Sequence, residues 1–460
     1  MGEVKIGEWV YNLFIQRSIS GWLIGVDARS AIDLADRHLA KFTHIQPNFI
    51  SIATADPIEF IASLMAGSRL GLPIFLGNPR WGNAEWEQFA KLTARVDLQQ
   101  HRDLIMIPTG GSSGNLKFAM HNWETLSASV WGFQEFYEVN AVNCICTLPL
   151  YHVSGFMQLW RSLLTDGKLS IVDLHQLDFP PKRLYQGNLT LLTDRIEVAD
   201  YFISLVPTQL SKLLDLNTSW LVQMRAILIG GAPPSIEVLT RARAANLPLA
   251  LTYGMTETGS QVTSLKPAEF LAGNNSCGVA LPHAKIRLCG ATDIVRSSQL
   301  EQPIGAIQIK ADSLMLGYFP DLNSSDYFEP DDLGSIDKNG YLTIVGRSSS
   351  KIITGGENVF PIEVIETIVS TGLIVDAWVV GIPDRYWGQA VTALYVVNSL
   401  SVSAAVLAQA IAGKISSYKV PKYWIAVDRI PRNNLGKVLD REIEKIIRDF
   451  FASDRHAESV

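Results

Sequence analysis

Along the first hundred positions, apolar residues recur mostly at helical spacing. Residues 32–42 and 57–70 repeat every three or four positions and predict amphipathic helices. Pro73-Ile-Phe-Leu predicts a short buried strand, the one strand expected in this stretch. Residues 104–107 predict a strand that runs into a Gly/Ser segment at 109–114, and residues 116–120 predict a second. Asn122 is placed to cap a helix carrying Trp123, Leu126, Val130, Phe133 and Tyr137 on one face. Residues 144–148, 169–172, 201–205 and 225–229 are further strand candidates with helical segments between them. This alternation predicts an α/β fold with substantial parallel pairing.

The texture changes after Leu281. Short strands at 285–288, 306–310 and 341–345, separated by Gly, Pro, Asn and Asp, predict a small β-rich unit. Beyond Arg347 the pattern becomes mixed again, with helices at 361–370 and 402–415 and strands at 374–381 and 390–397. The polar run Ser348-Ser349-Ser350 reads as a linker. The expected division is an N-terminal domain at 1–348 and a C-terminal domain at 350–460, with the hinge near Ser349.

Composition narrows the function classes. With 460 residues, 47% apolar and 18% charged, the chain can bury large cores, which excludes global disorder. A net charge of -6 gives no bulk attraction for nucleic acid or anionic lipid. The apolar stretches are short or broken by charge, as at Asp376, so no membrane insertion is expected. Glu3 and the absence of an apolar run argue against a signal peptide, and Ile6 fails the myristoylation pattern. Four cysteines without metal-ligand spacing fit a reducing, cytoplasmic setting. The oligomeric state stays open, a homodimer being one option.

Several segments carry chemistry. Thr109-Gly110-Gly111-Ser112-Ser113-Gly114-Asn-Leu-Lys117 offers glycines for a tight turn, three hydroxyls and a lysine, a set that suits phosphate oxygens. A solvent-exposed Gly/Ser turn is the plain alternative. The segment fails the Walker A spacing but satisfies G-x-S-x-G around Ser112, the nucleophile elbow of a serine hydrolase. That elbow requires a helix next, whereas the following residues predict a strand. Tyr253-Gly-Met-Thr256-Glu257 offers an aromatic face, a hydroxyl and a carboxylate that could hold Mg²⁺, or merely a capped helix start. Asp332 and Arg347 could grip a ribose or form a surface ion pair. Gly355-Gly356 opens a turn feeding a helix that starts at Pro361, and Lys437 stands in a polar loop. His152 follows an apolar strand, where a histidine is more often a core group than a catalyst.

In order and spacing, these segments resemble the adenylate-forming superfamily of acyl-CoA synthetases and luciferases over about residues 100 to 445. The resemblance implies a large α/β N-terminal domain with a small β-rich subdomain, and a small mobile α+β C-terminal domain. It further implies ATP, Mg²⁺ and coenzyme A as cosubstrates and cofactors, and a small-molecule carboxylic acid as substrate. Thr109, Gly110, Ser112, Ser113, Gly114 and Lys117 match its phosphate loop. Gly231, Ala232 and Tyr253 match its adenine pocket, and Asp332 and Arg347 its ribose pair. Thr256 would touch the α-phosphate and Glu257 would bind the metal. Lys437 falls on the adenylation lysine, and Gly355 and Gly356 on the loop that admits the pantetheine arm. Ser204, Thr208, Lys212, Ser260 and Gln261 would line the acyl pocket, with Lys212 and Ser260 as candidates for a second carboxylate. His152 would gate the carboxylate end.

The motifs Ser204-Leu-Val-Pro-Thr-Gln-Leu210 and Gly254-Met-Thr-Glu-Thr-Gly-Ser-Gln261 are most similar to the 2-succinylbenzoate–CoA ligase subfamily of menaquinone and phylloquinone synthesis. Other expectations kept open are another aryl-acid or carrier-protein ligase, a serine hydrolase using Ser112, and a nucleotide-binding protein without catalysis. The chain departs from the superfamily pattern at Gly111, Leu116, Pro330-Asp331 and Ser349.

Overall fold

The computed structural model describes residues 6–94, 98–109, 116–172, 197–216, 218–293, 303–322, 325–397, 402–433, 436 and 438–454. Among these residues an eight-stranded sheet forms the centre. Its order is Leu23–Ile24, Leu169–Ile171, Asn143–Cys146, Tyr201–Leu205, Ala226–Ile229, Leu249–Met255, Ser260–Ser264, Val279–Ala280. The first six strands are mutually parallel and the last two antiparallel.

Alternate residues of these strands enter two different cores, as a period of two requires. Phe202 and Leu228 pack with Phe133, Phe156 and Trp160 from the helices Trp123–Tyr137 and Val153–Leu164. Ile203 and Ile227 point the other way, to Leu210 and Leu239 of the helices Pro207–Leu214 and Ile236–Ala244. Both faces are covered, which is why these strands read as unbroken apolar runs.

A five-stranded sheet holds Ile50–Ile52, Ile74–Leu76, Ile105–Thr109, Lys117–His121 and Gly317–Tyr318. Phe75 is its anchor, with the rings of Phe49, Phe89, Phe118 and Phe319 edge-on at 5.1 to 5.4 Å. The small β-rich unit is an antiparallel sheet of Ala284–Asp293, Ile304–Ala311, Asp332–Ile336 and Leu342–Arg347. The fourth sheet holds Ile352–Thr354, Glu357–Val359, Ile374–Asp384, Gly388–Val397 and Tyr423–Ala426. Phe360 seats this part on the small antiparallel sheet through Ile304, Val345 and Leu333.

Three expectations are corrected. Among the described residues of the first hundred there are three strands rather than one, since Leu23–Ile24 and Ile50–Ile52 also pair. The small β-rich unit holds a further strand, Asp332–Ile336, in the stretch expected only to separate the strands at 306–310 and 341–345. The helix expected at 402–415 is Ala404–Ile411, because Gly413 turns the chain at φ +80°.

Candidate active site

Several of the candidate residues gather at the carboxyl ends of the parallel strands, where α/β sheets place their ligands. His152 follows Asn143–Cys146, Thr208 follows Tyr201–Leu205, Gly231 and Ala232 follow Ala226–Ile229, and Tyr253 lies two residues before the end of the strand Leu249–Met255. That strand pairs in parallel only as far as Leu251 and then turns to an antiparallel partner. The register shifts at Gly254, where an added Cβ would stand 2.2 Å from the Ser260 carbonyl oxygen. The strand ends in a single 3₁₀ turn, Thr256–Thr258, closed by Gly259 at φ +59°, and not in a longer helix capped by Thr256.

Side chains from distant segments fasten this turn. His121 is fully buried, and its Nε2 donates to the Thr256 carbonyl at 2.8 Å. Its Nδ1 therefore accepts from the Thr125 hydroxyl at 3.1 Å. Burial pushes the imidazole down to about 4, so the ring is neutral. The Ser313 hydroxyl donates to the Thr258 carbonyl at 2.8 Å, and the Met315 N–H to the Glu257 carbonyl at 2.8 Å. The Tyr318 hydroxyl donates to Glu257 Oε1 at 2.7 Å.

Tyr253, Asp332 and Arg347 form one unit. Asp332 and Arg347 stand opposite each other across their strand pair. Arg347 Nε lies 3.3 Å from Asp332 Oδ1, and the Tyr253 hydroxyl donates to Oδ2 at 2.7 Å. Burial and the Asp332 charge hold the Tyr253 phenol well above its ordinary range, so it stays a donor. A cleft of about 300 Å³ opens beside Asp331, Asp332 and Ser348.

Thr109 and Lys117 face each other as the ends of a strand pair. The segment after Lys117 is a strand and not a helix, which removes the context a nucleophile elbow needs. Gly110, Ser112, Ser113 and Gly114 lie outside the described residues, as does Lys437. Gly436, next to Lys437, packs on Thr208, with its Cβ position 2.9 Å from Thr208 Cγ2. Arg432 donates to the Gly436 carbonyl at 3.2 Å and pairs with Asp376 at 3.0 Å, fixing that loop to its own sheet. Gly355 and Gly356, at φ +59° and +85°, make the two-residue turn between Ile352–Thr354 and Glu357–Val359.

Ser260 and Gln261, expected in an acyl pocket, are joined to a residue that sequence reasoning missed. Arg161 is 2% exposed, and its guanidinium donates to Ser260 Oγ at 2.8 Å and Gln261 Oε1 at 3.1 Å. It stacks on the Phe133 ring at 4.4 Å, and burial lowers it to about 10. Arg161 has no ion pair among the described residues. Ser204 offers its carbonyl to the Thr147 hydroxyl at 2.9 Å, and Lys212 is exposed one helical turn after Thr208. His152 precedes the helix Val153–Leu164, stacks at a tilt on Tyr151, and is lowered by burial to about 4.

The model of the AMP-binding enzyme family matches residues 79–319, and that of the AMP-binding enzyme C-terminal domain matches residues 363–437. The chain belongs to the AMP-binding enzymes. One relative of this AMP-binding enzyme is the 2-succinylbenzoate–CoA ligase of Bacillus subtilis, 32% identical over 75% of this chain and 70% of that one. The fold is that of o-succinylbenzoate CoA synthetase from Bacillus subtilis in complex with its acyl-adenylate intermediate. That match has a TM-score of 0.78 at 22% identity, over 94% of this chain and 97% of the other. A double mutant of that synthetase bound to a product analogue matches at 0.62 and 22% identity, over 94% and 98%. No helix among the described residues is long and apolar enough to cross a membrane.

Proposed function

We propose that this AMP-binding enzyme is an ATP-dependent acid–CoA ligase. It converts 2-succinylbenzoate to 2-succinylbenzoyl-CoA through an acyl-adenylate, in menaquinone or phylloquinone synthesis, and works in the cytoplasm. The observation that carries the reading is the meeting of three parts: the Tyr253–Asp332–Arg347 unit, the Thr256-Glu257 turn, and the Gly436 loop against Thr208. The ligase named for Bacillus subtilis supports the substrate.

In the first step a carboxylate oxygen of the acid attacks the α-phosphorus of ATP. The bond to the bridging oxygen breaks, and pyrophosphate leaves. The residues bring two anions together and neutralise the phosphates. Gly231, Ala232 and the Tyr253 ring line the adenine, and Asp332, already aimed by Tyr253 and Arg347, accepts from the ribose hydroxyls. Thr109, the glycine and serine residues at 110–114, and Lys117 take the terminal phosphates. The Thr256 hydroxyl donates to the α-phosphate, and Lys437 bridges it to the incoming carboxylate.

No cluster of three or more metal-ligating side chains exists among the described residues. Glu257 alone, shared with substrate phosphates, suits Mg²⁺, which commonly takes one or two carboxylates and completes its shell with phosphate and water. When bound, the ion supplies charge neutralisation at the phosphates.

In the second step the CoA thiol attacks the acyl carbon, and AMP leaves. We assign residues 1–348 and 350–460 as two domains that swivel near Ser349, withdrawing Lys437 and bringing in Gly355 and Gly356. The closer likeness to the acyl-adenylate complex than to the product-analogue complex supports an adenylating arrangement here. Of the two candidates for the second carboxylate, Ser260 is favoured over Lys212. Its hydroxyl accepts from the buried Arg161, which places a positive charge behind it, and its own O–H, only 3.4 Å from Gln261 Oε1, is weakly held and can turn to a substrate carboxylate.

The test is pyrophosphate release with a panel of acids, with and without CoA. Release with 2-succinylbenzoate alone among aromatic acids is expected. No release with any acid overturns the reading.

A further inference from the structure

Tyr318 lies on a two-residue strand, Gly317–Tyr318, that pairs antiparallel with the strand carrying Lys117, Tyr318 standing opposite Ala119. This pairing puts the ring two residues from Lys117 on the neighbouring strand, a diagonal distance that a long side chain spans. The Lys117 ammonium sits over the ring at 5.5 Å from its centroid. The same side chain's hydroxyl reaches Glu257 Oε1 at 2.7 Å. One residue thus touches both the lysine of the phosphate segment and the carboxylate of the 256–258 turn, which are 140 positions apart in the chain (257 − 117).

The hydrogen bond has one direction. A phenol has one O–H to give and a carboxylate only accepts, so Tyr318 donates to Glu257. The bond fixes the rotation of the carboxylate plane, and so the direction in which Glu257 presents its remaining lone pairs. A hard octahedral cation held by a single protein carboxylate depends strongly on that direction.

We propose that Tyr318 is a positioning residue for adenylation, its hydroxyl orienting Glu257 toward Mg²⁺ and its ring face steadying the Lys117 ammonium toward the terminal phosphates. This assignment rests on the acid–CoA ligase reading. It adds to that reading a link between the metal side and the phosphate side of the nucleotide.

The experiment is calorimetric titration of ATP into the full chain, with and without Mg²⁺, for the parent, Tyr318→Phe and Tyr318→Leu. Tyr318→Phe keeps the ring and loses only the hydroxyl. It should bind metal-free ATP as the parent does, while the gain in affinity from Mg²⁺ shrinks roughly tenfold, the usual loss for removing a partner behind a metal ligand. Tyr318→Leu should in addition weaken metal-free binding, because Lys117 loses its ring. On a Glu257→Gln background, Tyr318→Phe should cost nothing further, which separates positioning from a general loss of structure. An unchanged Mg²⁺ gain in Tyr318→Phe, or an equal loss on both backgrounds, overturns the assignment alone. Absence of ATP binding by the parent overturns the ligase reading and this assignment with it.

Discussion

Gly436 rests on Thr208, so tightly that a methyl on its α-carbon would stand 2.9 Å from the threonine Cγ2. The contact joins the loop of Lys437, the proposed adenylation lysine, to the first turn of the helix Pro207–Leu214 that follows a central strand. Gly436 also holds φ at +78°, where a side chain is strained. Gly436→Ala should therefore push the loop off Thr208 and slow pyrophosphate release by roughly tenfold. Thioester formation from supplied acyl-adenylate should be spared. Equal slowing of both steps would show that the contact is not specific to adenylation.

Ser260 is expected to set the preference for a diacid. Ser260→Ala removes the hydroxyl that accepts from Arg161 and is proposed to meet the second carboxylate. KM for 2-succinylbenzoate should rise by roughly tenfold, while that for a monocarboxylate analogue stays put. A parallel rise for both acids would place the second carboxylate elsewhere.

Asp331 fastens the segment at Ser348 and Ser349. The Ser349 N–H donates to the Asp331 carboxylate at 3.2 and 3.3 Å, its hydroxyl pairs with the same group, and the Ser348 N–H donates to the Asp331 carbonyl at 2.7 Å. Ser349→Pro deletes an N–H and fixes φ. Steady-state turnover should fall while ATP affinity in calorimetry remains that of the parent. Parental turnover would remove Ser349 from the hinge.

Acid should destabilise the protein through its neutral histidines. Burial lowers His121, His152 and His283 to about 4 from an ordinary 6.5. Between those values the unfolded chain binds protons that the folded chain does not, so stability rises with pH there and is lost on acidification. For His121, wholly buried, the full effect is on the order of 3 kcal/mol. Urea unfolding between pH 6.5 and 4 should show His121→Gln with a slope shallower by about one proton. An unchanged slope would mean that His121 is protonated in the fold.

Much of this was legible from residues alone. Asn122 does cap its helix through the Thr125 N–H at 2.8 Å, and Pro361 does open one. The glycines at 355 and 356 take the positive φ values that a tight turn demands. What escaped was short or remote. Leu23–Ile24 is too brief to show alternation and exists because Leu169 and Ser170 supply its backbone partners. His121, Arg161 and Tyr318 meet partners 135, 99 and 61 positions away, beyond any local period. Arg161 alone left a signal, as the one charge in the apolar helix Val153–Leu164.

The central claim is that Lys437 serves adenylation and then withdraws. Its most direct test is Lys437→Ala assayed in each half-reaction. Pyrophosphate release from acid and ATP should fall by on the order of a hundredfold or more, while supplied acyl-adenylate is still converted to thioester at the parental rate. Equal loss in both halves, or adenylation left intact, would contradict the account.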